Sequence, residues 1–379
     1  MNILFLAHAD DSFGAPKAMI ELINQIETVY EVNVIVIIPK RNKLVDVFNQ
    51  NNIQYKIIPY YEWGHISSDN NLKKNIKRLR KQVINFFSKY RIAQICLKNH
   101  IDIIHTNVGV IDIGYDVSKI VNIPHIWHIR ESGVETNWVH YEKKFFNKHN
   151  SSINYNIAIS HYVKENWVKR GIDKKNITVI YDGIDEKNFQ IKTKQYKKDI
   201  KLILLGALEK HKGQNDLIDA LSLLRNVDDI KADIVGEGDK QYKNDLINKI
   251  EDYGLSRSVT IKPYSENVPE LLNDYDIGLN CSKGEGFGRV TIEYMLAGLP
   301  VIASNTGANP ELVKEGFNGK IYEYGNINDL SEKILFFLNN KELIKDFGIC
   351  GNEVSVGKFT IKAHAENIID FYNSIEKNT

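Results

Sequence analysis

Residues 281–300, which read CSKGEGFGRVTIEYMLAGLP, combine a loop of three alternating glycines with two glutamates. The apolar run at residues 277–279 predicts a buried strand before this loop, and apolar residues at helical spacing predict a helix after it. A strand, Gly-rich loop and helix in this order can bring backbone N–H groups and the positive end of a helix dipole to an anion. Glu285 lies in the loop. Glu293 follows Arg289 by four residues, which places these two side chains on one helix face.

This combination of backbone donors, a cation and two carboxylates could hold a nucleotide sugar. The backbone donors would bind the diphosphate, Glu293 the ribose hydroxyls and Glu285 the hydroxyls of the sugar. The alternative is an ordinary surface loop with a solvated glutamate, and the spacing by itself leaves both interpretations open. The stretch is not a Walker loop, because no Gly-Lys-Ser/Thr follows, and it lacks the Rossmann fingerprint.

Length and composition limit the class of protein. A chain of 379 residues with 43% hydrophobic residues is long enough for two domains with full cores, and its net charge of +1 gives no general attraction to polyanions. The three cysteines are widely spaced, which argues against a disulfide framework or a cysteine zinc site and fits a reducing cytosol. We expect neither a signal peptide nor a membrane-spanning helix, because no basic leader and no long apolar run is present. The expected location is therefore cytoplasmic.

Strands alternate with helices in both halves of the sequence, and this alternation predicts an α/β protein with two doubly wound parallel sheets. The alternation stops in the polar, lysine-rich residues 182–199 and starts again at residue 202. The predicted domains are residues 1–185 and 186–358, followed by a helix in residues 359–379 that packs back on the first domain. The cleft between two such Rossmann-like domains is the expected ligand site.

Residues 72–99 predict a long amphipathic helix that is rich in lysine and arginine. Its apolar stripe consists of Leu72, Ile76, Leu79, Val83, Phe86 and Tyr90. One interpretation is a helix that packs this stripe on its own sheet and leaves a solvated basic face. The other is a peripheral contact with an anionic membrane, at its inner face. The sequence leaves both open.

Several different short segments, distributed along the chain, form a further set of motifs. In the second half these are GAL at 206–208 with KG at 212–213, VGEG at 235–238, EGFG at 285–288 with Glu293, GLPVIA at 298–303 and PEL at 310–312. In the first half they are IPHIWHIRE at 123–131 and YDGID at 181–185. Together they resemble the motifs of retaining glycosyltransferases of family 4, the glycosyl transferases group 1. The resemblance covers nearly the whole chain and implies the GT-B fold, with two Rossmann-like domains facing a central cleft.

The resemblance implies donor-binding roles for residues of the second half. Gly206 and Lys212 match the diphosphate loop of the family, and Lys212 would contact the donor diphosphate. Gly236 matches the Gly-Glu-Gly strand end. Glu285 would bond the sugar hydroxyls, and Glu293 the ribose.

The backbone and the first half would complete this site. N–H groups of Gly286, Phe287 and Gly288 would hold the transferred sugar and phosphate. His128, at the end of a first-domain strand, would face the reacting centre, and the Gly14 loop would close over the diphosphate. The residues to which catalysis is assigned are His128, Lys212 and Glu285.

The family implied here needs no metal and no cofactor besides its nucleotide-sugar substrate, and it retains anomeric configuration by a front-face displacement. One departure is Ala207, because the family commonly has arginine at this position. Loss of one charged donor to a phosphate could cost roughly 1.5–3 kcal/mol. We hypothesise that Arg289, directly after Gly288, supplies the missing charge. The alternative is an arginine that only caps or solvates the surface.

The resemblance implies transfer of a hexose from a nucleotide sugar to a glycan or lipid-linked acceptor, in polysaccharide or cell-envelope glycan synthesis. No nucleic-acid partner is expected. One alternative is a catalytically silent GT-B partner or glycan-binding subunit, which Ala207 would permit. Another is a nucleotide-sugar epimerase, which also uses two such domains. The set of Lys212, Glu285 and Glu293 favours the transferase.

Overall fold

A computed structural model of the chain describes residues 1–8, 14–62, 72–132, 143–191, 199–227 and 229–376. The chain divides into two compact units. Unit 1 comprises Met1–Gly183 and Ile361–Thr379, and unit 2 comprises Ile184–Thr360. Among the described helices, none is both long enough and apolar enough to cross a bilayer.

Unit 1 contains a parallel sheet, whose seven strands within the described ranges pair in the order β3-β2-β1-β4-β5-β6-β7. The strands are β1 (Asn2–Leu6), β2 (Asn33–Ile38), β3 (Gln54–Ile57), β4 (Ile103–Thr106), β5 (His125–Ile129), β6 (Asn154–Ala158) and β7 (Ile177–Val179). The helices between them are α1 (Ala15–Val29), α2 (Leu44–Gln50), α3 (Leu72–Lys98), α4 (Ile113–Val121), α5 (Lys143–His149) and α6 (His161–Arg170). The strand order reverses direction between β1 and β4, so these two strands flank the switch point of the sheet.

Unit 2 repeats this plan with six described strands in the order β10-β9-β8-β11-β12-β13, all parallel to their neighbours. The strands are β8 (Ile200–Leu205), β9 (Ile230–Val235), β10 (Val259–Lys262), β11 (Ile277–Asn280), β12 (Val301–Ser304) and β13 (Gly319–Tyr322). The helices are α7 (Gln214–Leu223), α8 (Lys240–Asp252), α9 (Val268–Leu272), α10 (Arg289–Leu296), α11 (Asn309–Leu312), α12 (Ile327–Asn339) and α13 (Glu342–Lys358). Here the switch point lies between β8 and β11.

The last helix, α14 (Ile361–Glu376), belongs to unit 1. Its residues Ala365, Ile368 and Tyr372 are buried in one core with Ile3 and Phe5 of β1. Apolar residues three and four positions apart give α14 one buried face, which is why the chain returns to unit 1 after completing unit 2.

Two elements of unit 2 differ from the sequence-based expectation. The local pattern does not indicate the strand β13, and α13 continues to Lys358 across three glycines. Glycines inside a helical pattern usually indicate its end. In α13, however, Gly348 is needed because a Cβ there would lie 2.0 Å from Gly298 O, and Gly351 packs against Met295 of α10.

Candidate functional site

The two loops that carry the predicted donor residues follow neighbouring strands. In unit 2, β8 and β11 lie side by side, and Ile277 pairs with Leu202. The chain after β8 continues to β9 on one side of the sheet, whereas the chain after β11 continues to β12 on the other. Loops 206–213 and 281–288 therefore lie at the switch point, where open α/β sheets bind their ligands.

Lys212 and Glu285 form an ion pair that joins these loops, with Lys212 Nζ 2.8 Å from Glu285 Oε2. The exposed fraction is 25% for the Lys212 side chain and 22% for that of Glu285, so solvent and ligands can still reach the pair. Burial alone would raise the pKa of Glu285. The Lys212 ammonium and hydrogen bonds from Lys212 and Ser282 outweigh burial and hold this pKa below its usual value. Glu285 is therefore an ionised hydrogen-bond acceptor near neutral pH.

Gly213 allows the two loops to touch. Its φ of +73° lies in the left-handed region, and a Cβ would lie 2.3 Å from Cys281 O. The Lys283 N–H also donates to His211 O at 2.8 Å, so the two backbones are directly bonded. A side chain at position 213 would push the loops apart and separate Lys212 from Glu285.

Gly206 and Gly236, both predicted donor residues, have different surroundings. A Cβ on Gly236 would lie 1.9 Å from Gly206 O, so the chain after β9 packs directly on the chain after β8. Gly238 makes the same close approach to Leu208 O, at 2.4 Å. Nothing lies within 4 Å of a Cβ built on Gly206. Gly236 thus positions the loop, whereas Gly206 has open space beside it.

A polar network at the end of β12 fixes the backbone of the Glu285 loop. The hydroxyls of Ser304 and Thr306 both donate to Ser282 O, at 2.7 and 2.9 Å. The Ala308 N–H donates to Glu285 O at 2.8 Å. Because these bonds hold the loop in place, less conformational entropy is lost when a ligand binds to it.

Helix α10 begins directly after the glycine loop. Gly288 is its N-cap residue with φ of +92°, and Arg289 is its first residue. Glu293 follows one turn later and is buried. Burial raises the pKa of Tyr264, and the nearby Glu293 carboxylate raises it further, so Tyr264 stays a neutral hydroxyl beside this carboxylate.

The middle of the loop contributes backbone rather than side chains. Gly286 has no side chain and is half-buried. Phe287 is buried, and its ring centroid lies 6.0 Å from that of Phe359. The roles predicted for Gly286, Phe287 and Gly288 are roles of their backbone N–H groups, and they stay predictions.

Gly14 has the corresponding position in unit 1, after β1 and before α1. It is the N-cap residue of α1 with φ of +88°, and nothing lies within 4 Å of a Cβ built on it. Asn107, which follows β4, donates from Nδ2 to Ala15 O at 3.1 Å. Residues 9–13 of the predicted loop lie outside the described residues. The place of Gly14 at the switch point fits its predicted role, which stays a prediction.

His128 lies inside unit 1 and its side chain is fully buried. Its Nδ1 lies 3.1 Å from His105 Nε2 and 3.4 Å from Arg130 Nη2. The Tyr372 hydroxyl of α14 lies 2.6 Å from His105 Nδ1 and completes a chain of contacts. Burial holds the pKa values of His105 and His128 well below their usual range, and the positive charge of Arg130 lowers them further. Both rings are neutral, and contact between His128 and a substrate would require this interior to open.

Asp182 joins this group from the chain after β7. It forms an ion pair with Arg130, and its Oδ1 lies 3.8 Å from His128 Nε2 and 3.8 Å from His364 Nε2. His364 Nδ1 lies 2.6 Å from Tyr181 O, which fixes the ring of this α14 residue. The group therefore ties the ends of β5 and β7 to α14 within unit 1.

His128, Asp182 and His364 also offer three ligand atoms within 4.8 Å of one another, which is the arrangement of a candidate metal site. The charge balance disfavours a metal here. Arg130 already pairs with Asp182, so a divalent ion would place three positive charges against one carboxylate in a buried site. We assign the group to a hydrogen-bonded structural cluster, and the absence of a metal from catalysis stays a prediction.

Sequence reasoning did not single out Asp182, His364 or Tyr264. Asp182 stands within the YDGID segment, directly after a strand, and this position was the available signal. His364 and Tyr264 had none, because their partners are distant in sequence.

The protein-family comparisons decide the class of this chain. The model described as Glycosyl transferases group 1 matches residues 185–353, and the model described as Glycosyltransferase Family 4 matches residues 32–188. The chain belongs to the group 1 glycosyltransferases. This confirms the family expected from the motifs, and glycosyltransferase activity is thereby supported.

Individual relatives and structures agree with this assignment. An uncharacterized glycosyltransferase of Methanocaldococcus jannaschii, MJ1178, is 28% identical over 316 residues, which are 80% of this chain and 85% of the relative. The poly(ribitol-phosphate) alpha-N-acetylglucosaminyltransferase of Staphylococcus aureus is 32% identical over 160 residues, 42% of this chain and 32% of the relative. The crystal structure of Anabaena Alr3699/HepE in complex with UDP superposes with a TM-score of 0.82 at 21% identity, covering 99% of this chain and all of that one. The predicted GT-B fold of two Rossmann-like domains is confirmed.

Proposed function

We propose that this glycosyltransferase transfers a hexose from a nucleotide sugar with retention of configuration and without a metal. The observation that carries the proposal is the Lys212–Glu285 ion pair at the unit 2 switch point. A diphosphate requires cations and N–H donors, whereas sugar hydroxyls require acceptors such as carboxylates. This edge of the sheet presents both, with Glu293 and Arg289 on the adjoining helix.

Lys212 can serve the donor without losing Glu285. An ammonium has three N–H donors, and the contact with Glu285 uses one of them. In this proposal, a second N–H group of the ammonium donates to a phosphate oxygen of the nucleotide sugar. Glu285 in turn has two oxygens, so it can accept sugar hydroxyls while it orients Lys212.

The chemical step proposed is a front-face displacement. The acceptor hydroxyl oxygen forms a bond to the anomeric carbon, while the bond from this carbon to the diphosphate oxygen breaks. The hydroxyl proton moves to the leaving phosphate. Negative charge grows on the diphosphate during this step, so a preorganised Lys212 and glycine loop lower the barrier.

The acceptor class is proposed from the named relatives. One relative acts on poly(ribitol-phosphate), a polymer with many hydroxyls, and a structural neighbour binds UDP. We infer a glycan or lipid-linked acceptor in polysaccharide or cell-envelope synthesis, with uridine nucleotides as the first donors to test. The proposed location is the cytoplasm, where the three thiols would stay reduced.

A silent GT-B subunit is the second candidate, and Ala207 is the observation that favours it. Its side chain is exposed on the donor loop, where the family commonly carries an arginine. Such a protein would bind a nucleotide sugar and release no free nucleotide under any condition.

The test is to incubate the purified protein with nucleotide sugars and follow the released sugar by proton NMR, with water as the acceptor. We expect the anomer of the donor to appear first and a chelator to leave the rate unchanged. The inverted anomer or a loss of rate with chelator would contradict the proposal. Binding without release would favour the silent subunit.

A further inference from the structure

Helix α3 has an exposed apolar stripe. Leu79, Val83, Phe86, Tyr90 and Leu97 are spaced by three, four or seven positions, so they lie in one line along the helix. Their exposed fractions lie between 46% and 64%. The neighbouring Phe87 is exposed to the same degree. The side chains of residues 72–78 lie outside the described residues, so the stripe is defined here from Leu79 to Leu97.

The opposite face of α3 is the one that packs on unit 1. Ser88 and Ile92 follow Phe86 and Tyr90 by two positions, a rotation of about 200° around the helix. Ile92, with Ala93 and Cys96 beside it, is buried in the core next to the sheet. For the four described residues of the predicted stripe, Leu79, Val83, Phe86 and Tyr90, the interpretation that they pack on their own sheet is therefore wrong.

Polar contacts fix this orientation. Asn85 Nδ2 donates to Tyr61 O at 3.0 Å, and its Oδ1 accepts from Tyr61 N at 2.9 Å. The Ser88 hydroxyl donates to Pro59 O. A rotation of α3 that buried the stripe would break these bonds and expose Ile92.

The charged residues of α3 itself all have one sign. The sequence of α3 contains no aspartate or glutamate. The described basic residues of the helix are Arg80, Lys81, Lys89, Arg91 and Lys98. Lys89 Nζ lies 4.9 Å from the Phe86 ring centroid and 5.3 Å from that of Tyr90, at the border of the stripe.

We propose that this face of α3 lies on an anionic lipid bilayer. The stripe is about 27 Å long at 1.5 Å per residue, and an interfacial helix buries such a face at the boundary of headgroups and acyl chains. The flanking cations then meet lipid phosphates, and each contributes attraction near an anionic surface. The aromatic rings of Phe86, Phe87 and Tyr90 lie in the middle of the contact.

A second copy of the chain fits this face less well. The spacing of the stripe would suit a coiled coil, but two copies would bring their lysines and arginines together with no acidic residue on α3 to neutralise them. An anionic bilayer supplies this opposite charge. The inference does not depend on which donor or acceptor the enzyme uses.

The test is flotation of the full chain with vesicles of phosphatidylcholine alone and with added phosphatidylglycerol. We expect binding only to the anionic vesicles, and weaker binding at higher salt. Phe86→Ser combined with Leu97→Ser should abolish it. Leu223→Ser combined with Val356→Ser, which changes similarly exposed apolar residues of unit 2, is the matched control and should bind like the wild type.

Charge reversal gives a second readout. Arg91→Glu and Lys98→Glu should each lower the vesicle partition coefficient by more than about fivefold, because loss of one cation costs ~1 kcal/mol and each reversal also adds a negative charge. Lys175→Glu and Lys362→Glu, on exposed residues elsewhere in unit 1, should not. Equal binding by all variants, or no effect of phosphatidylglycerol, would overturn the proposal. A dimer in solution that Phe86→Ser dissociates would assign the stripe to a second copy and also overturn it.

Discussion

Lys212 Nζ lies 2.8 Å from Glu285 Oε2, although the two residues are 73 positions apart in the sequence. The contact exists because β8 and β11 are neighbours at the switch point of the second sheet. It places a cation and an ionised carboxylate where a nucleotide sugar would present its diphosphate and its hydroxyls. The pair is therefore the centre of the proposed donor site.

Lys212→Met should lower kcat/KM by about 10²–10³, because it removes a preorganised donor to the leaving diphosphate. Glu285→Gln should also lower activity, since it removes the charge that orients Lys212. The measurement is release of nucleotide from the donor. Lys210→Met is the matched control, because it changes an exposed lysine of the same loop, and it should stay near the wild-type rate. Full activity of Lys212→Met would exclude the proposed role.

Unit 1 should lose stability as the pH falls below about 6.5. Burial lowers the pKa of both His125 and His149 from 6.5 to about 3, so in this range the unfolded chain binds protons that the folded chain does not. Stability therefore rises with pH across this window. From pH 7 to pH 5.5 the two residues together should reduce the free energy of unfolding by about 2.5 kcal/mol.

Tryptophan fluorescence is the suitable probe, because Trp127 and Trp167 are buried in unit 1 and the sequence of unit 2, residues 184–360, contains no tryptophan. His149→Phe would keep the ring stacked on Trp127 and remove one titrating group. This variant should show a weaker dependence of the unfolding free energy on pH. A dependence as steep as that of the wild type would contradict the assignment.

Gly236→Ala should destabilise unit 2 by about 1–3 kcal/mol, the usual cost of forcing extra volume into a packed position. The added Cβ would meet the backbone oxygen of Gly206 at 1.9 Å, so the donor loop must move. Thermal unfolding and donor affinity should both worsen. Gly357→Ala is the control. It adds a methyl group to an exposed helical position with nothing within 4 Å, and should be neutral or stabilising.

Arg289→Ala should weaken donor binding by about tenfold or more if Arg289 supplies the charge missing at Ala207, because charged hydrogen bonds contribute ~1.5–3 kcal/mol. Ala207→Arg in the Arg289→Ala background should restore binding, since it returns a cation to the donor loop. Titration calorimetry with the nucleotide measures both. Unchanged turnover of Arg289→Ala would end the hypothesis.

Much of the fold could be predicted from local pattern. A continuous β-branched run such as NVIVII in β2 indicates a buried strand. The glycines before α7 and α10 indicate the turns that precede these helices. The length of α13 could not be predicted. Its Gly348 is required by the close approach of the Gly298 backbone, which is distant in sequence. The same applies to the orientation of α3. Its two apolar faces are equivalent in periodicity, and only the packed structure distinguishes the face of Ile92 from that of Phe86.

The sequence predicts which residues belong to the candidate site, but it does not predict how they are arranged. The motifs placed Lys212 and Glu285 in one site, whereas their ion pair depends on strand order. The burial of His128 among His105, Arg130 and Asp182 was not predictable either, because these residues lie in or after three different strands, β4, β5 and β7, and converge only in the folded unit.

The most direct test of the donor site is a panel of nucleotide sugars against the wild type, Lys212→Met and Lys210→Met, read by thermal shift and nucleotide release. We predict that one donor stabilises the wild type and Lys210→Met, by about 2.7 kcal/mol at a donor concentration of one hundred Kd. The same donor should leave Lys212→Met unshifted and should be slowly hydrolysed by the wild type. Stabilisation by none of the donors, or equal stabilisation of Lys212→Met, would contradict a nucleotide-sugar site built on Lys212 and Glu285.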